Sequence, residues 1–180
     1  MMKTLVIVSH PYPERSKATK ALEEIAATVP GVTVRNLETL YGNNINGFDL
    51  TAEQKAQEEA DRVVYLFPIH WFNLTPMLKA YLNEVWAYGW AFGPDAAALK
   101  GKEMQVVTTA GASKFTYSAE GLIKSSMEDV LTPMKASAYY VGMKYNQPLA
   151  FHNAIGASDE AIAEYQKAFV TLLNLPLATA

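Results

Sequence analysis

Val63 to Gly93 reads VVYLFPIHWFNLTPMLKAYLNEVWAYGWAFG, and the fold turns on this stretch. Its first five residues, Val63-Val64-Tyr65-Leu66-Phe67, are apolar without alternation, too short for a helix, and rich in β-branched and aromatic side chains. That is the pattern of a strand buried on both faces, as in a parallel sheet. Pro68 stops it, and Ile69-His70-Trp71-Phe72-Asn73 places two aromatics in a turn. Thr75-Pro76 has the form of a helix start, with Thr75 as cap and proline at the first helical position. From there Met77, Leu78, Tyr81, Leu82, Val85 and Trp86 recur at helical spacing. After Gly89, Trp90-Ala91-Phe92-Gly93 again puts aromatics in a loop. So much apolar surface in turns needs a cover: a flat ligand, a partner subunit, or the chain's own loop packing.

Outward from this stretch, strands and helices alternate. Thr4 to Ser9 (TLVIVS) reads as the first strand. His10-Pro11-Tyr12-Pro13-Glu14-Arg15 is a stiff loop, because each residue before a proline is held extended. Ser16 caps a helix carrying Ala18, Ala21, Leu22, Ile25 and Ala26, which Pro30-Gly31 ends. Val32 to Leu37 alternates as a strand, and the polar segment Glu38 to Leu50 carries the turn signals Gly42-Asn43-Asn44 and Asn46-Gly47. Thr51-Ala52-Glu53-Gln54 has the form of a capping box for a helix ending near Asp61. Met104 to Thr109 is the expected fourth strand. Leu122 to Leu131 is expected to be weakly helical and closed by Pro133, with Ala136 to Met143 (ASAYYVGM) as the fifth strand. Ser158-Asp159-Glu160 starts a last helix to about Leu173. Such alternation gives a parallel α/β sheet, and the pattern alone leaves its strand order open.

The chain has 180 residues, half of them hydrophobic and 18% charged, so it is expected to bury the core of a single domain over residues 1–180. A net charge of −3 and a pI near 5.6 argue against a nucleic-acid surface. Without cysteine there is no disulfide, thiol nucleophile or thiolate metal site. Met1 to Val8 is too weakly apolar for a secretory leader and no run has the length of a membrane span, so the expected location is the cytoplasm. Three scattered histidines form no metal triad, and no Gly-x-Ser-x-Gly elbow is present. His152 reads as structural.

In an open parallel sheet, ligands bind beyond the carboxyl ends of the strands. Three loops are expected there: His10 to Thr19, Pro68 to Asn73 and Thr108 to Ser113. The helix after Arg15 carries Lys17 and Lys20 in its first turn and no acid before Glu23, against the usual preference of a helix N-terminus. An external anion would supply the missing negative charge; the plainer alternative is a surface helix that is simply basic. The loop is neither a P-loop nor a Gly-rich dinucleotide fingerprint.

Phe67-Pro68-x-x-Trp71-Phe72, then Pro76-x-Leu78-Lys79 and Trp90-Ala91-Phe92-Gly93, resembles the flavodoxin-like NAD(P)H:quinone oxidoreductase family. The similarity is to its small bacterial quinone reductases and to the ancillary oxidoreductases of glutathione-gated potassium efflux systems, from Leu5 to about His152. The resemblance implies a flavodoxin-like three-layer fold with a five-stranded parallel sheet in the order 2-1-3-4-5. It implies a flavin, FMN or FAD, with NAD(P)H as co-substrate, and ping-pong two-electron reduction of a quinone to the hydroquinone. It also implies a homodimer. A flavodoxin-type electron carrier and a regulatory subunit of a membrane potassium transporter are the alternatives.

By the same resemblance, His10, Ser16, Lys17, Ala18 and Thr19 hold the flavin phosphate. Pro68, Ile69, His70, Trp71 and Phe72 flank the ring, with the amides from Ile69 to Phe72 facing its edge. Relatives often have glutamine at His70; histidine there can donate a hydrogen bond and can titrate. Thr108, Thr109, Ala110 and Gly111 match a Thr-Thr-Gly-Gly turn with alanine for one glycine, tolerated if its φ is negative. Tyr117 stands one residue from the place of a tyrosine that, with a histidine, balances charge in animal members. The histidine is missing here, since that region reads Glu120-Gly121-Leu122-Ile123.

Overall fold

The structure, a computed structural model, describes residues 2–178; Met1, the first residue of the stretch weighed as a leader, and residues 179 and 180 lie outside it. Four parallel strands form the body of the sheet: β1 (Thr4–Val8), β2 (Val32–Asn36), β3 (Arg62–Pro68) and β4 (Glu103–Thr109). Every residue of β1, β3 and β4 is buried, as expected of inner strands with helices on both faces, and Arg62 of β3 and Glu103 of β4 are paired with each other at 2.7 Å. The order is β2-β1-β3-β4-β5, as the resemblance implies.

The fifth position is filled differently from the expectation. Ala136 to Tyr140 belongs to helix α6 (Thr132–Tyr140), not to a strand. Met134, Ala138 and Val141 follow one another at helical spacing on the buried side, while Tyr139 and Tyr140 face outward. Gly142, at φ 76°, ends the helix: its amide reaches Tyr139 O, and the Met143 amide reaches Ala138 O at 2.8 Å. Pro133 sits in the first turn of α6 and starts that helix rather than closing the one before. Two short strands then share the sheet edge, β5 (Lys144–Tyr145) beside the start of β4 and β6 (Leu149–Phe151) beside its end. Pro148 falls between them, where a missing amide would break a continuous ladder.

Helices α1 (Lys17–Ala26) and α7 (Asp159–Leu173) cover one face, meeting the sheet through Leu22, Ala26, Phe169 and Leu173. Helices α2 (Leu37–Tyr41), α3 (Leu50–Glu59), α4 (Pro76–Val85), α5 (Met127–Val130) and α6 take part in a second core. Helix α2 lies in the segment read as a loop, and α5 is shorter than the expected Leu122–Leu131 helix. The capping-box assignment also shifts. Asp49, not Thr51, caps α3 by accepting from the Ala52 amide at 3.0 Å. Glu53 instead lies fully buried, taking four donors: Arg35 Nε at 2.9 Å and Nη2 at 2.6 Å, Tyr41 Oη at 2.5 Å and Tyr81 Oη at 3.2 Å. Among the described residues no helix is long and apolar enough to cross a membrane.

Candidate functional site

The parallel register brings the carboxyl ends of β1, β3, β4 and β6 to one edge. The loops that leave them enclose a cavity of about 390 Å³. His10, Ser16, Lys17, Ala18 and Thr19 line it from the first loop, Pro68, Ile69 and His70 from the second, and Thr109 and Gly111 from the third. A fourth wall, Ala154-Ile155-Gly156, comes from the loop after β6 and carries no motif that would have announced it. A second hollow of about 530 Å³ shares Tyr12, Ile69 and His70 with the first and extends along Trp71 and Leu74. Together they make one trough from the α1 N-terminus to the aromatic turn.

At the α1 end, Pro13–Arg15 winds into a 3-10 turn and delivers Ser16 to the N-cap position. The Ser16 side chain makes no capping bond, and the first turn holds no acid. Asn36, Asp49, Thr75, Ser126 and Ser158 all cap their helices by accepting a backbone amide. The first amides of α1 therefore keep donor capacity at the cavity. The basic surplus is smaller than the sequence implies. Lys17 Nζ donates to Asp159 Oδ1 at 2.9 Å and to Ala157 O at 3.4 Å, so its charge is already answered. Arg15 lies over the Tyr12 ring, 5.5 Å from its centroid.

At the other end, His70 to Asn73 closes a two-residue hairpin, with the Asn73 amide donating to His70 O at 3.1 Å. Trp71 and Phe72 hold φ of 48° and 60°. Positive φ at both central residues is the type I′ arrangement that Asn-Gly usually supplies. For bulky side chains the left-handed conformation costs about 1–2 kcal/mol per residue. Trp71 is 92% exposed, so packing within the chain does not offset that cost. The Ile69 amide is spent on Thr109 O at 2.8 Å, which narrows the expected row of ring-facing donors. Among the described residues the Trp71 and Phe72 amides have no acceptor.

Two residues of the third loop stand behind the cavity rather than in it. Thr108 is fully buried and its hydroxyl donates to Phe67 O at 2.7 Å. The Ala110 amide donates to Phe151 O at 2.9 Å. Ala110 is not among the positive-φ residues, so alanine fits here without strain. At Gly111 a Cβ would lie 2.5 Å from Ile155 Cδ1, so glycine lets the exposed Ile155 side chain settle against the third loop. Asn153, at φ 55°, turns that loop, and its amide and that of Ala154 donate to Ala112 O and Ala110 O. Tyr117 is buried, its ring 6.2 Å from Phe72 and 5.5 Å from His152. The histidine read as structural is thus the one that meets the tyrosine, and among the described residues its Nδ1 is buried without a hydrogen-bond partner.

A sequence profile described as "Flavodoxin-like fold" matches residues 2–173. The chain belongs to the flavodoxin-like fold family. Among family relatives, the uncharacterized NAD(P)H oxidoreductase YdeQ of Bacillus subtilis (strain 168) is 37% identical over 94% of this chain and 85% of its own. The glutathione-regulated potassium-efflux system ancillary protein KefF of Klebsiella pneumoniae (strain 342) is 36% identical over 88% and 87%. The crystal structure of general stress protein 14 from Treponema denticola in complex with FMN superposes with a TM-score of 0.85, at 35% identity over 95% of both chains. A chain described as a thermophilic tryptophan halogenase reaches a TM-score of 0.91 at 34% identity over 96% of this chain and 99% of its own. Shape alone therefore does not select the reaction, and the residues of the site must.

The histidines of this flavodoxin-like trough are held neutral near pH 7. Burial lowers the His10 pKa, the neighbouring His70 lowers it further, and Glu14 opposes. The two rings stand edge to face, 5.9 Å apart. Burial alone lowers His70. The unfolded chain takes up these protons first, near pH 6.5, so the stability they allow is full above that pH and falls as pH drops through the folded values. The melting temperature is expected to fall between pH 7.5 and pH 5.5, and His10→Asn with His70→Gln is expected to blunt the fall. Parallel melting curves for the two proteins across that range would show the histidines uninvolved.

Proposed function

We propose that this protein is an FMN-dependent NAD(P)H oxidoreductase that delivers two electrons to a quinone, working in the cytoplasm. The observation that carries the reading is the pairing of an uncapped helix N-terminus with a strained, unpacked aromatic hairpin at opposite ends of one trough. A helix start with spare amides suits a phosphate. An exposed aromatic shelf suits a flat ring. FMN is favoured over FAD by the FMN complex of the Treponema relative.

The residues present fit such a cofactor. The α1 amides with Ser16, Thr19 and His10 would hold the phosphate, and Trp71 and Phe72 with their free amides would hold the ring and its polar edge. When bound, the flavin supplies hydride acceptance and release. The chain's own part is to orient and enclose. Ile155, seated over Gly111, closes one side, and Trp71 offers an apolar surface on which nicotinamide and quinone take turns. Tyr117 stands where its phenol, with His152 beside it, can exchange a proton at Oη as charge develops in the site. That pairing replaces the histidine missing from the Glu120–Ile123 region.

After loading with FMN, the protein is expected to bleach at once on anaerobic addition of NADPH and to regain its colour with menadione. Flavin that binds but does not bleach would point to an electron carrier; no flavin binding would sink the reading. Trp71→Gly separates strain from function, because glycine accepts φ 48° freely. Its stability is expected to hold or to rise by about 1 kcal/mol, while FMN binds about tenfold more weakly.

The second subunit of a homodimer would cover the apolar groove of about 850 Å³ beside the hairpin, between α4 and α6, where Leu82, Trp86, Phe92 and Tyr140 lie. Light scattering is expected to give twice the 19.8 kDa chain mass. A second reading, an ancillary subunit of a potassium transporter, is supported by the KefF relative. Co-purification with a membrane transporter would favour it, and its absence would favour a free-standing enzyme.

A further inference from the structure

We propose that Glu38 is a positioning residue for the first loop, acting through Ser9 and Thr75, and that it does so as the neutral carboxylic acid. This rests on the reading that His10, Ser16 and the α1 N-terminus hold the cofactor phosphate. Ser9 links the end of β1 to His10, Thr75 caps α4 just after the aromatic hairpin, and Glu38 lies in the first turn of α2. Their side chains form one chain: Ser9 Oγ is 2.8 Å from Glu38 Oε1 and 2.5 Å from Thr75 Oγ1. Both hydroxyls are fully buried. Thr75 Oγ1 also accepts the Leu78 amide at 3.3 Å. Among the described residues, Glu38 Oε2 is buried with no hydrogen-bond partner.

No cation answers this carboxyl among the groups that act on it. From α1 it faces Glu23, a like charge that is itself held by Asn36 Nδ2 at 2.8 Å. From the first loop it faces the Ser9 hydroxyl and the His10 backbone, and through Ser9 it reaches Thr75 of α4. Burial pushes its pKa up, and Glu23 adds to that, against hydrogen bonds from Ser9 and the backbone.

A chain of hydroxyls can run in either direction. With Glu38 ionised, Thr75 donates to Ser9 and Ser9 to Glu38, which leaves a buried charge faced by the Ser9 hydroxyl and the His10 and Glu38 amides but by no cation. With Glu38 neutral, its Oε1 proton goes to Ser9 and the Ser9 proton to Thr75, and what stays unpartnered is the uncharged Oε2 and the Thr75 proton, neither of them a charge. The second arrangement costs less. It also keeps negative charge from behind a loop that receives phosphate, so phosphate binding and Glu38 protonation favour each other.

The test is FMN binding to the flavin-free protein by fluorescence quenching, for wild type and Glu38→Gln, from pH 5 to pH 8, with riboflavin alongside as the ligand lacking phosphate. Glutamine keeps the acceptor for Ser9 and cannot ionise. The ratio of wild-type to variant Kd for FMN is expected to start near one and climb roughly tenfold for each unit by which phosphate shifts the Glu38 pKa, while the riboflavin ratio stays flat. Superimposable FMN profiles, or a uniform loss in the variant at every pH, overturn the proposal. If neither protein binds any flavin, the cofactor reading fails on its own, and urea midpoints against pH decide Glu38. A carboxyl whose folded pKa is raised loses stability as pH climbs through that value, so wild type should weaken relative to Glu38→Gln with rising pH. Parallel midpoint curves would rule out the neutral acid.

Discussion

The hydrogen bond from the Ile69 amide to Thr109 O carries the sheet one residue past its last paired strand residues, and the site depends on it. It fixes where β3 ends and so where the hairpin begins. The Ala110 amide repeats the move toward Phe151 O, and the Ala154 amide returns to Ala110 O. Backbone pairing thus runs across the tops of three strands before any loop is free to bend. The start of α1 and the Trp71-Phe72 turn keep amides that have no acceptor among the described residues, and both face the trough. The ladder stops once and the trough takes its shape there.

Strain and spare donors coincide in this arrangement. Two aromatic residues in the left-handed region are unfavourable locally, and an uncapped helix start leaves donors that a single Asp or Asn side chain would have answered. A chain selected for stability alone would place Asn-Gly at the first and an acidic cap at the second. Both departures sit on the same trough; five other helices take side-chain caps, α4 at the trough's edge among them, and α6, entered through Pro133, takes none. Local consistency breaks where the surface serves something other than folding.

Much of this was legible in the residues, and the misses have physical causes. Unbroken runs such as Leu5–Val8 and Val63–Phe67 announce doubly covered strands because they leave no polar face. The bare start of α1, without acid or side-chain cap, was legible from the missing acids of its first turn, although Asp159, far along the chain, answers Lys17 and was not foreseeable from local pattern. The fifth strand was misplaced because tyrosines and small residues in ASAYYVGM suit either state; the Met134–Ala138–Val141 spacing and the glycine after it decide for helix. The true edge strands are only two and three residues long, too short to show a period. The wall at Ala154–Gly156 and the Tyr117–His152 contact arise from loops that meet only after folding, and no spacing encodes them.

The divided edge formed by β5 and β6 bears on how this protein behaves when crowded. An exposed, straight outer strand offers a row of free amides and carbonyls to any passing chain, which is the usual seed of sheet-to-sheet association. Here that row is cut by Pro148, flanked by Lys144, and interrupted where Gln105 Nε2 reaches across to Gln147 O at 2.9 Å. No stretch of that margin is long enough to template a neighbour. The same break at Pro148 that leaves β5 and β6 too short to show a period also removes that side as a template for strand addition.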